Sequence, residues 1–484
     1  MSERKTNKVK PQVLKGFRDY PPAEQIARDE MFDKLRSVVE RMGYLPLQTA
    51  SLESAETLLG THYNKDSLAE LFGFIGPDNI DMALRYEFTV SLARYVASNP
   101  TLPLPFRRYQ YGNVWRVDKP GPGRFREFMQ FDIDIVGTRN LLADAEIMAA
   151  MVSSMEALSI ERFVVRYSNR KILNGLMQLA GIEGEVGQNV MRVIDKLDKQ
   201  GLKAVMAELG PGRVDKSGDR IDGLKLGSEE IRTIEQFLEI ASTKGRSALE
   251  RAESLLGNIE VATEGISELR NIEKCLSSMG VTPDRIEIDL TIVRGLGYYT
   301  GPVFETTLLD LPEYGSIFSG GRYDNLVDRF LNRSIPAVGS SCGVDRLLAA
   351  LIELDAIKLR RSISQVLVTV MDRDHLPDYL EMVAELREAS INTEIYCGDS
   401  RNLTKQIKYG DKAGIPLAVI SGSDEFEKGE VTVKNLAAGT IKAQQTQNRE
   451  EWLQADHIQT TVPREDLVSC LRHLIGERTG EHAE

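Results

Sequence analysis

Cysteine is scarce in this chain: Cys275, Cys342, Cys397 and Cys470 are the 4 in 484 residues, and no two form a CxxC pair. Such spacing builds neither a disulfide frame nor a structural metal site, so free thiols in a reducing compartment are expected. No run of 18 apolar residues occurs, so neither a membrane-spanning helix nor a membrane partner is expected. The opening MSERKTNKVK lacks an apolar h-region; a secretory signal is therefore not expected, and a cytoplasmic location is. Repeats and low-complexity stretches are missing too. With 42% hydrophobic and 27% charged residues, collagen-like, disordered and coiled-coil classes are excluded. Acidic residues outnumber basic ones, 72 against 60, for a net charge of −12. That balance argues against a nonspecific nucleic-acid coat protein but leaves room for a local basic surface.

What is present is an ordinary globular composition long enough for roughly three domains. Residues 1–14 read as a basic tail. In Ala23–Met42, the apolar residues Met31, Leu35, Val38 and Met42 are spaced 4, 3 and 4, a helical stripe with Gly43 as its stop. Tyr111–Val117 and Met129–Val136 read as antiparallel neighbours joined by the turn-rich loop 118–126. A helix follows over Leu141–Leu158. From about Asn169 to Pro283 the text is helical and charged, the mark of an inserted module. Strands are expected over Asp284–Val293, Pro302–Leu308 and Gly315–Ser319, then a helix over Gly343–Leu354. Beyond Ser364, strands (Gln365–Val370, Thr393–Tyr396, Pro416–Ile420) alternate with helices (Pro377–Ala389, Ser400–Lys412), as in a small α/β domain.

Several short segments carry groups suited to chemistry. On Met129–Val136, alternation puts Gln130, Asp132 and Asp134 on one face. That face is either solvated, which is the default, or the wall of a polar cavity. Arg116, sharing a face with Val114 and Asp118, is expected across from those carboxylates, as an ion pair or as a phosphate ligand. The loop Lys119–Arg126 mixes cations, glycines and Phe125 without a Walker A or dinucleotide fingerprint. The corner Arg294-Gly295-Leu296-Gly297-Tyr298-Tyr299 and the segment Gly320-Gly321-Arg322-Tyr323-Asp324 are either tight turns with core aromatics or places where backbone meets a ligand. Arg346 sits in the first turns of its helix, where the dipole disfavours a cation unless an anion joins it. Arg401, Lys405, Lys408 and Lys412 form a cationic stripe: a solvated face by default, a phosphate-backbone contact otherwise.

The order of these segments resembles the histidyl-tRNA synthetase family of class II aminoacyl-tRNA synthetases. The resemblance runs through Lys15-Gly16-Phe17-Arg18-Asp19-Tyr20-Pro21-Pro22 and Leu84-Arg85-Tyr86-Glu87-Phe88-Thr89-Val90. It continues through Trp115-Arg116 with Arg124–Gln130, the two signatures above, and Pro336–Gly339 with Gly343–Leu347. It implies an α+β fold: a six- or seven-stranded antiparallel sheet with flanking helices as the catalytic domain (15–168 and 284–360), an inserted helical domain (169–283) and a C-terminal α/β anticodon-binding domain (365–484). The implied reaction joins L-histidine to ATP, giving histidyl-adenylate, then passes histidyl to tRNA(His). Arg116 and Arg294 are the implied catalytic arginines, both also touching histidine. Glu87, Thr89 and Gln130 would hold its α-amino group. Asp134 and Tyr299 would bond the imidazole, with Tyr298 and Tyr323 completing the pocket. Arg116, Arg124 and Arg346 would bind ATP, and Lys119, Arg126, Arg401, Lys405 and Lys408 would contact tRNA. A homodimer and Mg2+ accompanying ATP are implied, with no structural metal; the magnesium ligands are not indicated.

Some positions depart from the family pattern. Val117-Asp118-Lys119 stands where His-Glu-Arg is common, Gly297 where Asp is usual, Ala50 where a proline is usual, and Asn325 where Gly is common. Two other readings bear on function. One is the regulatory, histidine-sensing subunit of an ATP phosphoribosyltransferase, a non-catalytic paralogue that lacks the last domain and often loses the ATP-contacting arginines. The other is an RNA-binding structural module, which leaves the tyrosine-lined pocket without a purpose. Retention of residues 365–475 and of Arg116, Arg294 and Arg346 favours the synthetase.

Overall fold

Two ten-residue strands, Phe106–Trp115 and Glu127–Val136, pair antiparallel along their whole length and set the frame of the first of two structural units. The computed structural model describes residues 9–61, 65–121, 123–214, 218–293, 299–436 and 459–480. Their sheet has eight strands in the order Leu45–Pro46, Phe106–Trp115, Glu127–Val136, Ala337–Gly343, Ser316–Tyr323, Pro302–Leu308, Phe163–Asn169 and Ile286–Ile288. The inner six are antiparallel throughout, whereas the short strand at each edge pairs parallel to its neighbour. The expected six or seven strands are therefore eight, because two short parallel edges add to the antiparallel core.

Helices cover this sheet. Leu142–Ala157 buries small and apolar side chains along nearly its whole circumference, the signature of a helix enclosed by its neighbours. The stripe expected after Tyr20 appears as the helix Pro22–Arg41, in which Met31, Leu35 and Val38 are buried. Gly43 follows with φ +79°, a stop no β-carbon would favour.

Residues 170–278 supply the helical insertion, together with a small antiparallel pair, Gly212–Val214 with Arg220–Asp222. Its first and last helices, Arg170–Leu179 and Glu260–Ser278, approach closely because Gly175 faces Ala262. A β-carbon at Gly175 would lie 2.5 Å from the Ala262 methyl. The strand expected over Asp284–Val293 is only Ile286–Ile288. Asp289 turns the chain instead, its Oδ1 accepting from the Thr291 amide (3.1 Å) and hydroxyl (2.5 Å). In the other direction, Gly315–Ser319 grows into Ser316–Tyr323.

The second unit comprises residues 20–29 and 358–484. Its five strands run in the order Thr393–Ile395, Val366–Val368, Leu417–Ile420, Glu430–Asn435 and Gln459–Pro463. Val366 and Val368 face one core with Tyr379 and Leu386, while Leu367 faces the other with Ile415 and Ala418. Alternation along a doubly covered strand thus makes an α/β/α sandwich. The helix expected from Ser400 is Leu403–Ala413: Asn402 caps it by accepting from the Lys405 amide, so Arg401 stands before the helix rather than on its stripe.

Candidate active site

The floor of the site is the strand Glu127–Val136. Gln130, Asp132 and Asp134 share a face as alternation requires, but that face is not solvated: they are only 8%, 4% and 3% exposed. Flanking strands on both sides explain this. Opposite them stand Gly112, Gln110 and Arg108 on one neighbour and Gly343, Ser341 and Gly339 on the other. Small residues on the second neighbour leave room for the carboxylates, and a β-carbon at Gly339 would lie 2.0 Å from Asp134 Oδ1.

Arg116 is not the cross-strand partner of these carboxylates. The strand ends at Trp115, and the Arg116 guanidinium turns away, with Nε donating to the Tyr86 carbonyl (3.1 Å) and its carbon 5.1 Å from the Phe128 ring centre. Arg108 takes the expected place. Fully buried, it sets Nη2 2.7 Å from Asp134 Oδ2, an ion pair without hydrogen-bond alignment. The Tyr323 hydroxyl donates to Asp134 Oδ1 at 2.5 Å. Burial pushes Asp132 up to about 7, with Asp134 adding to the rise and Arg108 opposing it. The Asp134 carboxyl is also raised by burial, against Arg108 and the Tyr323 hydrogen bond.

Above this floor lies a cavity of about 290 Å³ whose walls include Glu87, Thr89, Tyr299, Tyr323, Arg116 and Arg329. Glu87 is fixed by the helix Thr89–Ser98, since its carboxylate accepts from the amides of Thr89 (2.5 Å) and Val90 (2.7 Å) at the N-terminus. Gln130 Nε2 donates to Ser341 Oγ (2.6 Å). Four buried polar atoms at this level, Gln130 Oε1, Asp132 Oδ1, Asp134 Oδ2 and Ser340 Oγ, have no hydrogen-bond partner among the described residues. Buried polar atoms are rarely left so, and the shortfall marks a place for a polar ligand.

A second cavity, about 170 Å³, shares Arg116, Gln130, Ser319 and Ser341 with the first. It adds Arg124, Arg346, Phe125 and Phe128. Arg346 Nη1 donates to the Ser316 carbonyl (2.7 Å), and the neighbouring Asp345 accepts from the Met129 amide (2.7 Å), tying the helix Val344–Glu353 to the floor strand. Three guanidinium groups with aromatic walls suit a polyanion attached to a flat ring.

Of the residues singled out in the sequence, Glu87, Thr89, Arg116, Gln130, Asp134, Tyr299 and Tyr323 meet at the first cavity and Arg116, Arg124 and Arg346 at the second. Lys119 and Arg126 line neither: Lys119 is exposed on the loop, and Arg126 donates to the Asp118 carbonyl (3.3 Å). Lys405, Lys408 and Lys412 are exposed on one helix of the second unit, with Arg401 exposed ahead of it. Arg294 and Tyr298 lie outside the described residues. Arg108, Arg329 and Ser341 are site residues that sequence reasoning missed. Folding the hairpin symmetrically about Gly121 would have set Arg108 opposite Asp134; Arg329 carries no comparable signal. Among the described residues, no group of three His, Cys, Asp or Glu side chains could hold a metal ion, and no helix is long and apolar enough to cross a membrane.

Comparison with known proteins identifies the family and the fold. Residues 16–347 match the family model described as histidyl-tRNA synthetase, and residues 365–472 match that of an anticodon-binding domain. A histidine--tRNA ligase of Cereibacter sphaeroides is 42% identical, the alignment covering 98% of this chain and 99% of the relative. The crystal structure of histidyl-tRNA synthetase from Nostoc superposes with a TM-score of 0.78 at 31% identity, over 96% of this chain and all of the other. An ATP phosphoribosyltransferase regulatory subunit/histidyl-tRNA synthetase from Bacillus halodurans shares the fold at TM-score 0.67 and 22% identity, over 83% of this chain and 97% of that one.

Proposed function

This chain belongs to the histidyl-tRNA synthetase family and attaches L-histidine to tRNA at the expense of ATP, and from that premise we propose which of its residues carry each step. The larger cavity takes histidine. Its α-ammonium group sits between Glu87, Thr89 and Gln130, and its imidazole hydrogen-bonds Asp134 and Tyr299, with Tyr323 orienting Asp134. The smaller cavity takes ATP: Phe125 and Phe128 flank the purine, while Arg124 and Arg346 hold the outer phosphates. Arg116, on the wall common to both, meets the histidine carboxylate and the α-phosphate where they react.

The carboxylate oxygen attacks the α-phosphorus, the bond to the bridging oxygen breaks, and pyrophosphate leaves. Both reactants are anions, so a guanidinium fixed between them lowers their repulsion and stabilises the charge that builds on the phosphoryl oxygens. Arg294 is proposed to add a second cation at that step. The terminal ribose hydroxyl of tRNA(His) then attacks the acyl carbon and AMP departs. ATP enters as its magnesium complex, with the ion as part of the substrate. Lys119 and Arg126 contact the acceptor end of the tRNA, and Arg401, Lys405 and Lys408 its anticodon region. Residues 15–168 with 284–360 form the catalytic domain, 169–283 the insertion and 365–484 the anticodon-binding domain. We place the chain in the cytoplasm, consistent with four free cysteines, and propose a homodimer, supported by the exposed apolar side chains Phe74, Ile75 and Ile80.

One observation carries the assignment: a floor of buried polar atoms without partners among the described residues meets a trio of arginines at one shared residue. A regulatory, histidine-sensing role would use the floor and leave the trio idle. The test is a split of Michaelis constants in histidine-dependent ATP–pyrophosphate exchange. Asp134→Asn is expected to raise KM for histidine by about 10- to 100-fold, the scale of one hydrogen bond to a charged group, with KM for ATP unchanged. Arg346→Ala is expected to do the reverse. Equal effects on both constants in both variants would refute the two-cavity division.

A further inference from the structure

Arg108 lies beneath the histidine cavity rather than in it, and none of the roles described so far uses it. It is among the largest completely buried side chains, and its only ionic partner at hydrogen-bonding distance among the described residues is Asp134. None of its three guanidinium nitrogens has a hydrogen bond among the described residues. A buried cation with so little compensation is costly, and such pairs persist where they serve a state of the partner.

That partner's other contacts define the state. Tyr323 occupies Oδ1 of Asp134 from one side. Oδ2 faces Arg108 off the hydrogen-bonding line, leaving a lone pair of that oxygen unused. Three further titratable groups surround Asp134, of which Glu87 raises it while Asp132 and Tyr44 are themselves raised by it. Asp132 shares its strand face, Glu87 acts across the cavity, and the Tyr44 hydroxyl lies within its electrostatic reach. The strand Ala337–Gly343 offers only Gly339 opposite it. Arg116 and Arg329 stand on the cavity wall. Among the described residues, Arg108 is thus the one cation in direct contact with a carboxylate that burial and Glu87 would otherwise neutralise.

We propose that Arg108 is a positioning residue for histidine recognition: it holds Asp134 as an anion whose free lone pair accepts the imidazole N–H. This rests on the assignment of the larger cavity to histidine. A protonated Asp134 would be a much weaker acceptor for that N–H and, with its proton on Oδ2, would turn a hydroxyl toward the ring nitrogen. The pH dependence follows in sign. As pH falls through the Asp134 titration, kcat/KM for histidine falls. Without Arg108 the carboxyl takes up its proton at higher pH, so the same fall begins earlier on acidification.

The experiment is the pH profile of histidine-dependent ATP–pyrophosphate exchange for wild type, Arg108→Met and Arg108→Lys. In Arg108→Met the acid limb of kcat/KM for histidine is expected to move up by at least about one pH unit, a tenfold loss at a fixed pH on that limb. Activity should recover at alkaline pH, KM for ATP at saturating histidine should hold, and Arg108→Lys should move the limb back toward wild type. A loss of equal size at every pH, with no movement of the limb, would overturn the proposal. Should Arg108→Met fail to fold, Arg108→Gln decides: its acid limb is expected to move up likewise, and an unmoved limb counts against the proposal. Asp134→Asn separates the two claims. If it leaves KM for histidine unchanged, the cavity assignment fails; if it raises KM while the Arg108→Met limb stays put, only the role of Arg108 fails.

Discussion

At the scale of single residues, the site depends on what is missing as much as on what is present. Gly339 sits directly opposite Asp134, and any side chain there would occupy the carboxylate's own space, 2.0 Å from Oδ1. Gly339→Ala is therefore expected to displace Asp134, raising KM for histidine at least about 10-fold while KM for ATP changes little; the exchange assay reads this. Equal KM values in wild type and variant would mean the carboxylate is not held where the ladder puts it. The sequence made the face of Gln130, Asp132 and Asp134 legible, because alternation survives small errors in strand ends. Their burial was not legible, since it depends on which strands flank them. The identity of the opposing arginine was lost to register: moving the turn centre by one residue keeps the face but changes the partner by two. Arg116 was thus expected where Arg108 stands, and Arg116 proved to serve a different wall.

At the scale of elements, the insertion is fastened to the sheet by charge. Lys244 Nζ lies 3.1 Å from Asp289 Oδ2 and 3.2 Å from Glu287 Oε2, and Arg166 bridges Asp289 (3.2 Å) and Glu305 (2.9 Å). Burial pushes the Asp289 carboxyl up, but the Thr291 hydrogen bonds and Lys244 outweigh it and hold it below the usual range. Because the folded value is depressed, this stabilisation is present above the unfolded value, about 3.9, and is lost as pH falls through the folded one. Asp289→Ala is expected to lower stability at pH 7 by about 3 kcal/mol, the scale of breaking a buried pair. The gap from wild type should close below about pH 4 in denaturant titrations; a gap that persists there would show that packing, not charge, fastens the insertion. The same aspartate explains why a strand expected to Val293 stops at Ile288: its side chain competes for the amide that a longer ladder would need. Elements governed by periodicity and caps were otherwise close to expectation. The helix Leu403–Ala413 began late because Asn402, not Ser400, caps it.

At the scale of the whole molecule, the proposed scheme has an acidic chain handle two polyanions by gathering its cations locally. Arg116, Arg124 and Arg346 come from segments more than 200 residues apart, and only the antiparallel sheet brings them together. That convergence was implied by the order of motifs and could not be read from any one of them, because nonlocal pairing is invisible to local pattern. The eight-stranded count was likewise hidden, since its edges are strands of two and three residues. The division into a sheet-based unit and an α/β sandwich fits a reaction in two stages. In the proposed scheme activation belongs to the first unit, while recognition of the tRNA far from its acceptor end belongs to the second. The claim on which all of this turns is that Arg116 is the wall common to histidine and ATP. Histidine-dependent ATP–pyrophosphate exchange by the full chain, wild type against Arg116→Ala, tests it most directly. The predicted result is robust exchange in the wild type and at least about a 10²-fold loss of kcat in a folded variant, the scale for removing one preorganised transition-state group. Near-normal exchange in Arg116→Ala would contradict the account.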